Sequence, residues 1–198
     1  MVQLPDRDAL LARVKGSRGG WDARFRPAVL ERVGSGQESV WDYPRPPALV
    51  PAWGAVRVSR GEHVIAESKC ALVVKETAGA PVPYFPPEDV NAGVLVLNGG
   101  ISVCEWKGAA VAYDCVMPDG TRIVDAAWCY PEPFGDLPAD FTRIAGWFAF
   151  YPARLDCRVQ RDDGTWEQAR PQPGGFYGGW MLDRIAGPVK GGPGTGHW

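Results

Sequence analysis

The sequence predicts an all-β fold, an antiparallel sandwich or small barrel with one or two short helices. Gly and Pro together account for 44 of the 198 residues, about twice their usual share, so long helices are not expected. After Trp53 the chain divides into about eight to ten short β-prone segments separated by turn residues, as in antiparallel domains. The Gly-rich segment 171–198 carries several large aromatic residues, which indicates a segment lying against a domain rather than a flexible tail.

The sequence predicts an extension over the first 37 residues and a single β-rich domain over residues 38–198. Residues 6–15 place acids before and Lys15 after their apolar positions, which predicts a short helix. A second helical turn or two is predicted over 27–33, with Pro27 in the first helical position. Residues 1–35 hold seven Arg/Lys and four Asp/Glu, against 14 and 19 in the remainder. The resulting +3 extension is either a weak docking patch or simply solvated, and the second interpretation is favoured.

The Pro-rich segment 38–53 begins the predicted domain. Its prolines favour extended, partly polyproline-like backbone, and Trp41, Tyr43 and Trp53 are expected to anchor it. Such a segment is either a ligand for another protein or, as we favour, packed on its own domain.

Turn residues separate the predicted strands. Pro118-Asp119-Gly120 is the clearest hairpin turn, and Asn98-Gly99-Gly100 and the residues 161–164 are also expected to be turns. A helix is predicted over 140–146 with Asp140 as its N-cap. The predicted strands are 55–59, 63–67, 70–76, 93–97, 101–107, 109–117, 121–130, 147–151, 154–160 and 165–169.

Composition excludes several classes of function. A net charge of −2 argues against nucleic-acid binding. Neither a signal peptide nor an apolar run of 18 residues is found, so no membrane association is expected. Five cysteines without a CxxC pair indicate a reducing, cytoplasmic setting and no metal site. With two histidines and no Ser-His-Asp pattern, a serine or cysteine hydrolase has no support.

The segment CEWKG, residues 104–108, is the best candidate site. If it is a strand, Glu105 and Lys107 share the face opposite Trp106. Asp114 in the next strand shares a face with small alanines. Glu105, Lys107 and Asp114 then form the floor of a pocket with acid/base groups. The alternative is an exposed cross-strand ion pair, worth under about 1 kcal/mol.

Aromatic residues supply the candidate walls of this pocket, namely Trp106, Tyr113, Trp128, Tyr130 and Tyr84. Trp128 follows two adjacent alanines, a pattern that suits either a flat ligand or a packed core. Tyr84 lies in a loop with Glu88 and Asp89, which are either functional groups or first-turn acids of a short helix.

The segment GPVKGGPGTG, residues 187–196, is not a triphosphate-binding loop. Lys190 precedes the glycines, no helix follows, and the prolines lack N–H donors. Lys190 remains a candidate contact for an anion, and no cofactor is expected.

Seven segments together resemble the bacterial domain-of-unknown-function 427 family, sometimes labelled nucleotidyltransferase-like. They are ESVWDYPRPP (38–47), PPEDV (86–90), CEWKG (104–108), AAWCYPEP (126–133), FAFYP (148–152), FYGGW (176–180) and GPVKGGPGTGHW (187–198). The resemblance implies a compact β-rich fold, with the tent-like form of zinc-binding relatives as one version of it, although their CxxC ligands are missing here. It implies no established activity. The transferase label has no support, because no Gly-Ser followed by Asp-x-Asp is present to hold two metal ions.

Two hypotheses about function follow. In the first, an aromatic-lined pocket binds a small, flat or partly anionic molecule, with catalysis by carboxylate acid/base chemistry as an extension of that role. In the alternative, the Pro/Trp segments 38–53 and 171–198 engage a protein partner without catalysis. A concave site with Lys107 and an acid of raised pKa favours the first, and an exposed tryptophan patch favours the second. The oligomeric state is left open.

Overall fold

The computed structural model describes residues 6–18, 26–196 and 198. The predicted extension therefore includes stretches outside the described residues. The strands are β1 Glu38–Ser39, β2 Ala48–Pro51, β3 Val56–Arg60, β4 His63–Ser68, β5 Leu72–Lys75, β6 Val82–Tyr84, β7 Leu95–Cys104, β8 Gly108–Val116, β9 Arg122–Cys129, β10 Phe148–Phe150, β11 Asp156–Gln160, β12 Trp166–Gln168, β13 Arg170–Pro171, β14 Trp180–Met181 and β15 Ile185–Ala186.

The helical content is small. The α-helix α1 spans Arg7–Arg18, which confirms the first predicted helix and extends it. Short 3₁₀ turns occupy Val40–Asp42, Pro87–Asp89, Ala92–Val94 and Phe141–Ile144. Among the described residues, the structure contains no helix with the length and apolarity needed to cross a membrane.

Two of the helix predictions need correction. The helix predicted over 27–33 is wrong, because that stretch has a bend at residues 28–29 and no regular secondary structure elsewhere. The helix predicted over 140–146 is reduced to a 3₁₀ turn, and its cap residue Asp140 has a left-handed φ of 38° and makes no side-chain capping hydrogen bond.

Strands pair mostly antiparallel in several open sheets. The central sheet has the order β10-β9-β8-β7, a second sheet β12-β11-β3-β4, and a third β2-β5-β6. Two small pairs complete the fold, β13-β14 and the parallel pair β1-β15. In the part of the chain that the structure describes, none of these sheets closes into a barrel. The all-β prediction is confirmed, in its sandwich form.

Strand β10 of the central sheet packs into core on both of its faces. Alternation along β10 sends Phe150 into one buried cluster, shared with Val58 of β3 and Val159 of β11. The neighbouring Ala149 belongs to a second cluster, shared with Leu72 of β5. Strand β10 therefore contributes to two layers of core, as period-two alternation requires, whereas most of β7 is exposed.

The hairpin turn over 118–120 is confirmed, since β8 and β9 pair on either side of it. The turn predicted over 98–100 is wrong, because β7 runs through it as one strand with a register shift between Leu97 and Ile101. CEWKG is not a strand either. Residues 105–107 form the turn that joins β7 to β8, so the strand alternation assumed for Glu105 and Lys107 does not apply.

The C-terminal segment lies flat on the domain, as its composition predicts. Trp180 is fully buried, and its indole N–H donates to the carbonyl of Phe150 over 3.1 Å. A Cβ at Gly178 would clash with the ring of Trp128, and one at Gly179 would lie 2.8 Å from Ala80. Only glycine allows this close approach.

Candidate functional site

A cavity of about 290 Å³ lies beside the turn that joins β7 to β8. Its walls come from the central sheet, from β5 and β6 with the loop between them, and from the Gly-rich C-terminal segment. The side chains that line it and carry polar or aromatic groups are Glu76, Tyr84, Ser102, Cys104, Glu105, Lys107, Trp128, Tyr130, Tyr151, Gln172, Phe176, Tyr177, Lys190 and Trp198.

Lys107 is the last residue of the turn and is only 7% exposed. Its ammonium lies 5.8 Å from the ring centre of Tyr130 and 5.7 Å from that of Phe141, within the range of cation–π attraction. Among the described residues, no carboxylate lies within 4.0 Å of this ammonium. Lys107 is thus a buried cation without an ion-pair partner in the part of the chain described.

The charge on Lys107 is nevertheless maintained. Burial opposes it, but the neighbouring Cys104, Tyr84 and Glu76 outweigh burial and raise the pKa of Lys107 above its ordinary value. Lys107 is therefore cationic at neutral pH.

Glu76 and Lys190 form a second charged pair in the same cavity. The ammonium of Lys190 lies 2.7 Å from Oε1 of Glu76, and both side chains are largely buried. Burial opposes ionisation of Glu76, but Lys190 and Lys107 outweigh it and lower the pKa of that carboxyl. Lys190 also lies 5.3 Å from the ring centre of Tyr177. This carboxylate is ionised and already engaged.

Aromatic rings form one wall of the cavity. The indole N–H of Trp128 donates to the hydroxyl of Tyr84 over 3.3 Å, and the rings of Trp128 and Tyr151 lie 4.4 Å apart. Burial raises the pKa of Tyr84 to about 12, and burial raises that of Tyr130 well above its ordinary value. Both hydroxyls are therefore neutral donors at physiological pH.

Gln172 fastens the C-terminal segment to the cavity. It is 4% exposed, its carbonyl accepts from the amide of Ala80 over 2.8 Å, and its amide donates to the carbonyl of Lys190 over 2.9 Å. The segment that carries Lys190 is thereby held against the loop after β5.

The N-terminal helix reaches the rim of the cavity. Nε of Arg18 donates to the carbonyl of Glu105 over 2.7 Å, and its guanidinium pairs with Asp136 at 3.0 Å. Helix α1 itself docks through Leu10 and Val14. The turn that presents Lys107 is therefore fixed partly by the predicted extension.

A family model described as "Domain of unknown function (DUF427)" matches residues 48–161. The chain belongs to this family. No curated protein matches the chain in sequence. The matched range of the DUF427 domain includes the whole central sheet and the turn with Lys107, whereas Gln172 and Lys190 lie beyond it.

Six of the nine site residues predicted from the sequence of this DUF427 member line the cavity. They are Glu105, Lys107, Trp128, Tyr130, Tyr84 and Lys190. Their placement together agrees with a common site, and their roles remain predictions.

The other three predicted site residues lie outside the cavity. Trp106 is 3% exposed and packs in the second core cluster, and its indole N–H has no hydrogen-bond partner among the described residues. Tyr113 packs edge-on against Phe148, with ring centres 5.3 Å apart. Asp114 is bound within a hydrogen-bond cluster of its own, with Asn98, Arg122 and the amide of Asp125.

Sequence reasoning missed Cys104, Glu76, Tyr151 and Gln172. A four-residue turn brings its first and fourth residues together, so reading CEWKG as a turn would have placed Cys104 beside Lys107. No local signal identifies Glu76 or Gln172, because their partners are distant in the chain. Within the described residues, no group of three or more His, Cys, Asp or Glu is arranged to hold a metal ion.

Proposed function

We propose that this DUF427 domain binds a small planar anion, with the anionic group on Lys107 and the ring against Trp128, Tyr84 and Tyr130. The observation that carries the proposal is the buried ammonium of Lys107, which faces the cavity and has no carboxylate within ion-pair distance among the described residues.

The charge argument favours an anionic ligand. A buried ammonium without a counter-ion loses hydration that the protein interior does not replace. Glu76 lies near Lys107 but is already paired with Lys190 at 2.7 Å. A carboxylate entering the cavity would supply the missing partner for Lys107.

The size and lining of the cavity favour a planar ligand. A volume of about 290 Å³ is near the lower end of the roughly 300–1,000 Å³ typical of small-molecule sites, which suits one or two rings. Trp128 and Tyr130 offer faces and edges for ring stacking, and the hydroxyls of Tyr84 and Tyr130 offer neutral hydrogen-bond donors.

Binding is the primary role in this proposal, and acid/base catalysis is secondary. A general acid at neutral pH needs a raised pKa, whereas the pKa of Glu76 is lowered. Glu105 is the remaining carboxylate at the cavity and is the candidate for any proton transfer.

The protein-interaction alternative receives less support. Trp41 is 1% exposed and Trp180 is fully buried, so neither contributes to the exposed tryptophan patch that this alternative requires. We propose a cytoplasmic setting, which is supported by the five free cysteines.

A thermal-shift experiment tests the proposed function. Benzoate and 4-hydroxybenzoate are compared with uncharged benzamide on the wild type, on Lys107→Met and on the exposed-lysine control Lys69→Met. Ligand at a hundredfold excess over Kd stabilises a protein by about 2.7 kcal/mol, which raises Tm by roughly 5–10 °C for a chain of this size. We expect the carboxylates to raise Tm in the wild type and in Lys69→Met, and to have no effect in Lys107→Met. Equal shifts in all three proteins would contradict the proposal.

A further inference from the structure

We propose that Cys104 is a covalent modification site, whose thiol reacts with small carboxylate-bearing electrophiles that Lys107 captures in the cavity. The inference rests on the proposed function of the same cavity and adds a nucleophile and a substrate class to it.

The turn geometry places the thiol where an anion would bind. Cys104 ends β7 and Lys107 closes the turn before β8, and both side chains line the cavity. Lys107 is the second, independent feature that points to a ligand, because it is a cation 93% buried and without a carboxylate partner among the described residues. A ligand carboxylate on Lys107 brings its neighbouring carbon close to the Cys104 sulfur.

The other cysteines provide an internal comparison. Cys115, Cys129 and Cys157 are buried, and burial raises the pKa of each thiol, so they are poor nucleophiles. Cys70 is exposed and lies outside the cavity. Cys104 is partly exposed and is the cysteine among the described residues that lines the cavity.

The other charged groups at the cavity do not replace Lys107 as a source of attraction for an anion. Glu76 and Lys190 neutralise each other as an ion pair. Glu105 also lines the cavity, and its negative charge opposes the entry of an anion. Lys107 therefore provides the attraction at the thiol, and removal of the Glu105 charge is expected to strengthen it.

The reaction is a substitution at carbon. The sulfur attacks a carbon that bears a leaving group, the S–C bond forms, and the bond to the leaving group breaks. The leaving group departs with the bonding electron pair, and the thiol proton passes to solvent, so no oxidant or reductant is needed. Iodoacetate is the probe for this class, with iodide as its leaving group, and iodoacetamide is its uncharged counterpart.

The experiment measures the rate of alkylation at each cysteine of the full chain by mass spectrometry. The rate with iodoacetate is divided by the rate with iodoacetamide, and the quotient at Cys104 is compared with that at Cys70. We expect the quotient to be about tenfold higher at Cys104, because a cation in a cleft concentrates anions. Lys107→Met should lower the quotient at Cys104 to the value at Cys70, and Glu105→Gln should raise the quotient at Cys104.

A quotient at Cys104 equal to or below that at Cys70 in the wild type overturns the inference, and this result does not require any variant to fold. Addition of 4-hydroxybenzoate distinguishes failure of the proposed function from failure of this inference. Protection of Cys104 but not Cys70 supports both proposals. A high quotient without protection supports the reactive thiol and contradicts the planar ligand.

Discussion

Two buried charged groups belong to the hairpin of β7 and β8, and they differ in whether their bonding capacity is used. In the Asp114 cluster, Oδ1 accepts from Asn98 at 2.7 Å and from the amide of Asp125 at 3.0 Å, and Oδ2 accepts from Arg122 at 2.7 Å. Lys107 lies at the other end of the hairpin without a carboxylate partner among the described residues. The comparison indicates that a buried charge with its hydrogen bonds complete maintains the fold, whereas one that faces a cavity incompletely paired is available to a ligand.

Substitution of Asp114 should give the largest effect on stability. Asp114→Ala leaves the amide of Asp125 without its acceptor, takes away one of the two acceptors of Asn98 and removes the ion-pair partner of Arg122. We expect it to lower the free energy of unfolding by about 3 kcal/mol. Urea unfolding followed by tryptophan fluorescence measures this, with exposed Asp162→Ala as the control. A loss no larger than that of the control would show that the Asp114 cluster is dispensable and would remove the contrast with Lys107.

The pair of Glu76 and Lys190 should give an intermediate effect that depends on pH. Lys190→Met leaves the largely buried Glu76 without its nearest counter-ion. We expect a loss of about 2 kcal/mol at pH 7, below the roughly 3–5 kcal/mol of a fully broken buried pair, because Lys107 still stabilises the carboxylate. The pKa of Glu76 is lowered from its ordinary value of 4.5, so its contribution to stability is present above pH 4.5 and is lost as pH falls through its folded pKa. The difference between the wild type and Lys190→Met should therefore shrink below pH 4.5. A difference that stays constant down to pH 3 would show that the titration of Glu76 does not account for it.

Lys107 should give the smallest effect on stability. Lys107→Met removes a favourable charge interaction with Glu76 but also the cost of burying an ammonium, so we expect the unfolding free energy to change by less than about 1 kcal/mol. The same urea measurement tests this. A loss comparable to that of Asp114→Ala would make Lys107 a structural cation and would break the comparison.

Local signals in the sequence predicted much of the fold. The turn over 118–120 was predictable because its stabilising hydrogen bond is local: the side chain of Asp119 accepts from the amide of Thr121, two residues later. The bulge at 98–100 was not, because Asn98 is held by Asp114 and Asp125, which lie on other strands. Long-range hydrogen bonds of this kind overrode a segment that reads locally as a turn.

The candidate site was predictable only where its residues belong to local sequence motifs. Glu105, Lys107 and Trp128 belong to short motifs that stand out in the sequence, and all three line the cavity. Reading CEWKG as a strand grouped Lys107 with Asp114 instead of Cys104. Glu76 and Gln172 line the cavity as hydrogen-bond partners of Lys190. No local sequence pattern encodes these contacts, because the residues are distant in the chain.

The most direct test of the central claim is an NMR titration of the wild type with 4-hydroxybenzoate. Shifts of the Lys107 side-chain ¹³Cε–¹⁵Nζ signals and of the backbone amides are followed across the chain. Our account predicts saturable changes at Lys107, Cys104 and Glu76, with Asn98 and Asp125 unaffected. Changes confined to the Asp114 cluster, or no saturable change at Lys107, would contradict the claim that this cavity is the ligand site.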